Sequence, residues 1–165
     1  MDLPIVLSHK TAWLYHNVAR PSEPPSRASS LYDEDSLAND AEPTASLPKL
    51  GLDAKGLRAS TAAGIVTDYL VSLGIPREEL DHIDTLVNFD FERSTPAGFR
   101  CHVFGAPVPP GHLIEVAEGL LVVDEVMCFV QAGSWMSEPE QLEYGYEICV
   151  RYHLNHLSTG DYIEM

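Results

Sequence analysis

The residue types in this chain that could do chemistry are its seven histidines, its three cysteines and a Ser-His pair at positions 8 and 9. Histidine suits metal binding or proton transfer near neutral pH, and cysteine suits nucleophilic or redox work. Spacing tests both ideas. His9 and His16 lie seven apart and His153 and His156 three apart, but neither pair has a third or fourth ligand at a recognisable metal-site spacing. No metal site is expected, and His153 would suit the negative end of a helix by its charge alone. Cys101 is followed directly by His102, yet neighbours on a strand face opposite sides of a sheet, so they cannot form a nucleophile and base pair.

Two further chemistries are tested the same way. Phosphodiester hydrolysis of the restriction-endonuclease type needs an acid-x-Lys grouping that holds a divalent cation. Beyond residue 90 the only basic side chains besides histidine are Arg93, Arg100 and Arg151, with no lysine, so the grouping is missing. A phosphate-binding loop needs free backbone N–H groups, whereas Gly105 to Gly111 is rich in proline and is followed by no Lys-Ser or Lys-Thr. No catalytic residue and no cofactor is expected. What remains is binding: Ser8, His9 and Lys10 open a helix whose free N–H groups could meet an anionic group, and Arg100 and His102 share one side of a strand. Trp13, Trp135, Tyr144, Tyr146, Tyr152 and Tyr162 read as core or partner-surface anchors.

The elements that must position these residues follow from patterning. Leu3 to Leu7 is a short apolar run, and Ser8 is placed to cap a helix from about His9 to Val18. From residue 20 to 57 the chain carries Pro21, Pro24, Pro25, Pro43 and Pro48, many serines and an acidic cluster from Asp33 to Glu42. Such a stretch buries too little apolar surface to offset chain ordering and is expected to be a mobile surface insertion. Ser60 begins an amphipathic helix through Leu73, ended by Gly74, and Pro76 to Leu80 opens a short second one. The pair resembles a helix-turn-helix but lacks a basic recognition face.

Thr85 to Phe91 and Phe99 to Phe104 read as strands whose connecting loop, Glu92 to Gly98, suits a hairpin. Phe99, Cys101 and Val103 would face one way, Arg100 and His102 the other. Ala106 to Gly111 must be an edge or crossing loop, because proline donates no ladder hydrogen bond. Leu113 to Val116 is short and ambiguous. Leu120 to Val123 reads as a buried strand, Asp124 as the cap of a helix to Gly133, and Ser137 as the cap of a final helix with Leu142, Tyr146, Cys149, Tyr152 and His156 on one stripe. The fold class expected is α+β, a small mixed or antiparallel sheet flanked by three or four helices, in one domain over residues 1–165.

Composition narrows the partners. Twenty-five Asp and Glu against ten Lys and Arg give a net charge of −15, which repels nucleic-acid phosphate and disfavours direct DNA or RNA binding. The same charge suits a basic protein partner. Three cysteines in apolar surroundings, an odd number, read as small buried hydrophobes in a reducing compartment. No basic leader opens the sequence and no run approaches the roughly 20 apolar residues of a membrane span, so a cytoplasmic location is expected.

Two phrases carry a resemblance. Leu7, Ser8, His9, Thr11 and Ala12 form a strand ending in Ser-His before a helix opened by small residues, and Gly119, Val122, Asp124, Glu125, Cys128, Phe129, Val130 and Ala132 form a strand, polar turn and apolar helix. With the strands at Asp84 to Phe91 and Arg100 to Phe104 and the proline-containing link from Val108 to His112, this order resembles the C-terminal domain of the AbiEi-like type IV antitoxin family. That domain is also found ahead of very-short-patch-repair-like endonuclease domains. The family's N-terminal DNA-binding part and the endonuclease part have no counterpart in this sequence, and the insertion at 20–57 departs from the pattern. The resemblance implies a non-catalytic, antitoxin-like or phage-defence-associated regulatory module that binds a toxin or nuclease. The alternative from charge is an acidic inhibitor that mimics nucleic acid. Oligomeric state is left open.

Overall fold

The computed structural model describes residues 4–19, 27–28, 48–50, 52, 59–87, 97–104, 108 and 111–158, with the side chains of residues 27, 28, 59 and 151–158 excepted. In chain order the elements are β1 (Ile5–Leu7), α1 (His9–Val18), β2 (Arg27–Ala28), α2 (Ala59–Ser72), a 3-10 turn (Arg77–Glu79), β3 (Ile83–Val87), β4 (Phe99–Val103), β5 (Leu113–Ala117), β6 (Leu120–Val123), α3 (Glu125–Ala132) and α4 (Glu138–Ser158). The six strands form one mixed sheet in the order β2-β5-β6-β1-β3-β4, an α+β fold.

β1 owes its central place to composition. Its three residues are apolar on both faces, with Val6 and Leu7 buried, as a strand covered on both sides requires. It runs parallel to β6 and antiparallel to β3. β3 is buried from Ile83 through Leu86, and both α1 and α2 pack on it. The core gathers Leu7, Val66, Leu70, Ile75, Ile83, Leu113 and Leu120 with the inward residues of α3 and α4.

Several expectations change in the fold. β3 and β4 are parallel, with Asp84 opposite Arg100 and Leu86 opposite His102, rather than a hairpin. Parallel neighbours must enter from the same end, so the chain cannot pass from β3 to β4 by a tight hairpin turn. Ser8 precedes α1 as expected, but its hydroxyl makes no cap bond. Ser60 falls inside the first turn of α2, which begins at Ala59. The second half of the apparent helix-turn-helix is a single 3-10 turn. Asp124 does cap α3, accepting the Met127 N–H at 2.8 Å. Leu113 to Ala117 resolves as a full strand beside β6. The stripe Leu142, Tyr146, Cys149 of α4 faces outward, because Tyr144 and Ile148 are its buried residues; Tyr152 and His156 lie outside the described side chains. Cys149 is therefore exposed, while Cys128 is buried and Cys101 partly so. Within 20–57, Arg27–Ala28 adds an edge strand to β5, and most of the remaining segment lies outside the described residues.

Candidate functional site

One end of the sheet gathers the polar chemistry. Ser8 and His9 follow β1, Asp124 follows β6, His112 precedes β5, and His82 and Asp84 open β3. The register explains the grouping: β3 and β5 run antiparallel to β1 and β6 respectively, so their starts meet the ends of those strands.

Asp84 is the centre of the larger cluster and is only 2% exposed. Its Oδ1 sits 2.8 Å from His102 Nε2 and 3.5 Å from His82 Nε2. Its backbone N–H donates to Thr11 Oγ1 at 2.9 Å, the Thr11 hydroxyl makes a long contact of 3.5 Å to Oδ2, and its carbonyl accepts the Ser8 N–H at 3.0 Å. Burial pushes the Asp84 carboxyl upward, but the His102 hydrogen bond and the charges of His102, His82 and Arg100 together outweigh it and hold the group below the usual aspartate value. A buried carboxylate is tolerated here because several partners compensate for its lost hydration.

His9 covers this centre. Its ring stacks on that of His102 with centroids 3.6 Å apart and planes 17° apart. Burial, then the neighbouring His102, lowers its pKa to about 4 against the opposing pull of Asp84, so the stacked ring is neutral at pH 7. The backbone of His9 has φ +50°, the left-handed region that costs a side-chain-bearing residue about 1 kcal/mol or more. Tertiary contacts hold it there. Its N–H donates to Gln131 Oε1 at 2.9 Å, its carbonyl accepts the Cys128 thiol at 3.6 Å, and its Nδ1 lies 3.0 Å from Ser8 Oγ. Cys128 is buried and its thiol is pushed up to about 12, chiefly by burial, so it is a protonated packing group.

The smaller cluster is a second histidine–carboxylate pair. His112 Nδ1 lies 2.9 Å from Asp124 Oδ2 while Oδ1 caps α3, and the Asp124 N–H donates to the His112 carbonyl at 2.9 Å. His16 contributes a third tie, its Nε2 lying 2.8 Å from the Val123 carbonyl oxygen. Among the described residues, no group of three or more His, Cys, Asp or Glu side chains is arranged to hold a metal ion.

Of the five residues the sequence singled out, Ser8, His9 and His102 come together, and Arg100 lies across from Asp84 on the neighbouring strand, exposed. Lys10 turns away to an exposed ion pair with Glu79 at 3.0 Å. Ser8 is 0% exposed and the first N–H of α1 is taken by Gln131. Sequence reasoning missed Asp84, His82, Thr11 and Gln131. The two-residue period of a strand places His82 and Asp84 on one face. Pairing them with His102 needs the parallel register that a hairpin reading reverses.

A different surface is apolar and exposed. On α3, Val126 and Val130 are 40% and 60% exposed, and on α4, Leu142, Tyr146 and Val150 are 58%, 74% and 56% exposed. The two helices pack on each other. Each stripe repeats at four residues, so it occupies one side of its helix. Among the described residues no helix is long and apolar enough to cross a membrane. Compared with family models, curated proteins and solved structures, the chain matches none.

Proposed function

We propose that this chain is a non-catalytic, antitoxin-like or phage-defence-associated regulatory module that binds a basic protein partner through α3 and α4. One observation carries the reading: five large apolar side chains stand exposed on two adjoining helices of a chain that otherwise carries a net charge of −15. Single exposed hydrophobes are ordinary, but apolar stripes on two helices that pack on each other, with exposed glutamates on one of them, have the composition of a protein interface. The acidic rim selects a basic partner and speeds its approach, and the apolar stripes supply the packed contact. In this reading the Asp84 cluster positions α1 by tying its first turn to β3 and β4. Its Ser8 is fully buried, and its carboxylate oxygens are engaged by His102, His82 and Thr11.

The exposed Glu138, Glu140, Glu143 and Glu147 on α4 favour a second reading, an acidic inhibitor that occupies a nucleic-acid groove. Binding would then be almost wholly electrostatic. The test is an affinity capture from the native host with the full chain and with the variant V130E/Y146E, washed at low and high salt, with bound proteins identified by mass spectrometry. A partner retained by the wild-type chain at high salt and lost by the variant is the expected result. Equal capture by both chains would overturn the α3–α4 assignment, and a nuclease released by salt from both would establish the inhibitor instead.

A further inference from the structure

Next to the exposed apolar stripe of α4 lies a groove of about 230 Å³, walled by Trp13 of α1, Trp135 and Met136 of the α3–α4 connection, and Tyr144, Glu140, Glu143 and Glu147 of α4. The helix period explains its make-up: residues 140, 143, 144 and 147 follow one another at three- and four-residue steps and share a side. Trp13 and Trp135 meet edge to face, with ring centroids 5.5 Å apart and planes at 61°, and both are only partly buried. Glu140 is fixed by the Ser137 N–H at 2.8 Å and the Ser137 hydroxyl at 2.6 Å, an acceptor role that keeps its carboxylate ionised.

The groove sets two indoles beside three carboxylates. An aromatic face attracts a cation through its ring quadrupole, and the glutamates add direct Coulomb attraction. The volume is below the 300–1,000 Å³ of clefts that hold drug-sized ligands, so the groove suits one side chain rather than a whole molecule. We infer that the groove receives an arginine side chain of the partner protein, its guanidinium lying against the Trp13–Trp135 pair and its N–H groups reaching the glutamates. Arginine is favoured over lysine because a planar guanidinium stacks on indole and presents a fork of donors to carboxylates, which a compact ammonium cannot do. The inference rests on the partner-binding reading and adds a specificity element to it, an arginine anchor beside an apolar contact.

The chain supplies its own reporter, because Trp13 and Trp135 are its only two tryptophans. The probes are the blocked tripeptides acetyl-Gly-Arg-Gly-amide, acetyl-Gly-Lys-Gly-amide and acetyl-Gly-Gln-Gly-amide, titrated into the full chain while indole fluorescence is followed. Saturable change with the arginine peptide, weaker with lysine and none with glutamine, is expected. The variant E143Q/E147Q should weaken the arginine response roughly tenfold, and 0.5 M salt should weaken it too. Both glutamates are exposed, and far-UV circular dichroism checks that the variant keeps the fold. Equal responses to arginine and glutamine, or no saturable change with arginine, would overturn the inference. Neither result touches the capture experiment with V130E/Y146E, whose failure would be a separate loss.

Discussion

Asp84 and His9 make the chain's stability depend on pH in a definite direction. In the unfolded chain His9 takes up a proton near 6.5, whereas in the fold it does so only near 4. Between those values the unfolded chain holds the extra proton, so acidification favours unfolding. Asp84 behaves differently: its folded value lies below the ordinary 3.8, so its contribution is intact throughout that window and is lost only at lower pH, as the folded group itself protonates. Urea unfolding followed by circular dichroism should therefore show stability falling by about 2 kcal/mol from pH 7 to pH 4.5 through His9. H9F, which keeps an aromatic ring on His102 but cannot titrate, should show a shallower fall. A pH slope unchanged in H9F would remove His9 as its origin. At neutral pH D84N should cost about 3 kcal/mol, since it removes the charge around which His102, His82 and Arg100 are arranged. Ser8, His9 and His102 were legible as polar residues at the end of one strand and on another. Asp84 was hidden because an aspartate in an apolar strand carries no mark of its partners until the register is known.

At the scale of elements, the close approach of α2 to the start of β4 is the most exacting contact. Gly98, just before β4, has φ +90°, and a Cβ there would stand 2.6 Å from the Ala63 Cβ of α2. The Gly98 carbonyl also accepts the Ile83 N–H at 2.8 Å, so the turn cannot move without disturbing β3. Gly74, past the end of α2, has φ +107° but open space around it. G98A should cost about 2–4 kcal/mol, combining backbone strain with a clash, and G74A about 1 kcal/mol from strain alone, both measured by denaturant unfolding. Equal losses would mean the contact with Ala63 relaxes freely. The long helices themselves were readable from their period, and Asp124 as the cap of α3 was readable too, whereas Ser8 makes no cap bond and Ser60 falls inside α2. What periodicity left open was which side of α4 faces in: Leu142, Tyr146 and Cys149 form as regular a stripe as Tyr144 and Ile148. Only α3 and the core decide between them. The parallel pairing of β3 with β4 was equally out of reach, because a loop with proline and glycine serves a hairpin or a crossover alike.

For the whole molecule, the sheet order β2-β5-β6-β1-β3-β4 places β1 between two strands that are synthesised well after it. β1 ends at Leu7, and its neighbours are Ile83–Val87 on one side and Leu120–Val123 on the other. A growing chain therefore carries Ile5, Val6 and Leu7 with no native strand beside them until residue 87 has emerged, and with one open edge until residue 123 has. Contacts so distant in sequence are slow to close, and an apolar strand left waiting is a point at which nascent chains associate. Pulse-labelled hydrogen exchange during refolding should show the amides of Val6 and Leu7 gaining protection together with those of β6, after α2 is already protected. Earlier protection of β1 would mean that it finds a temporary partner first. Emergence of residues 87 and 123, rather than any local propensity of Ile5–Leu7, thus sets the moment at which the middle of this sheet comes into being.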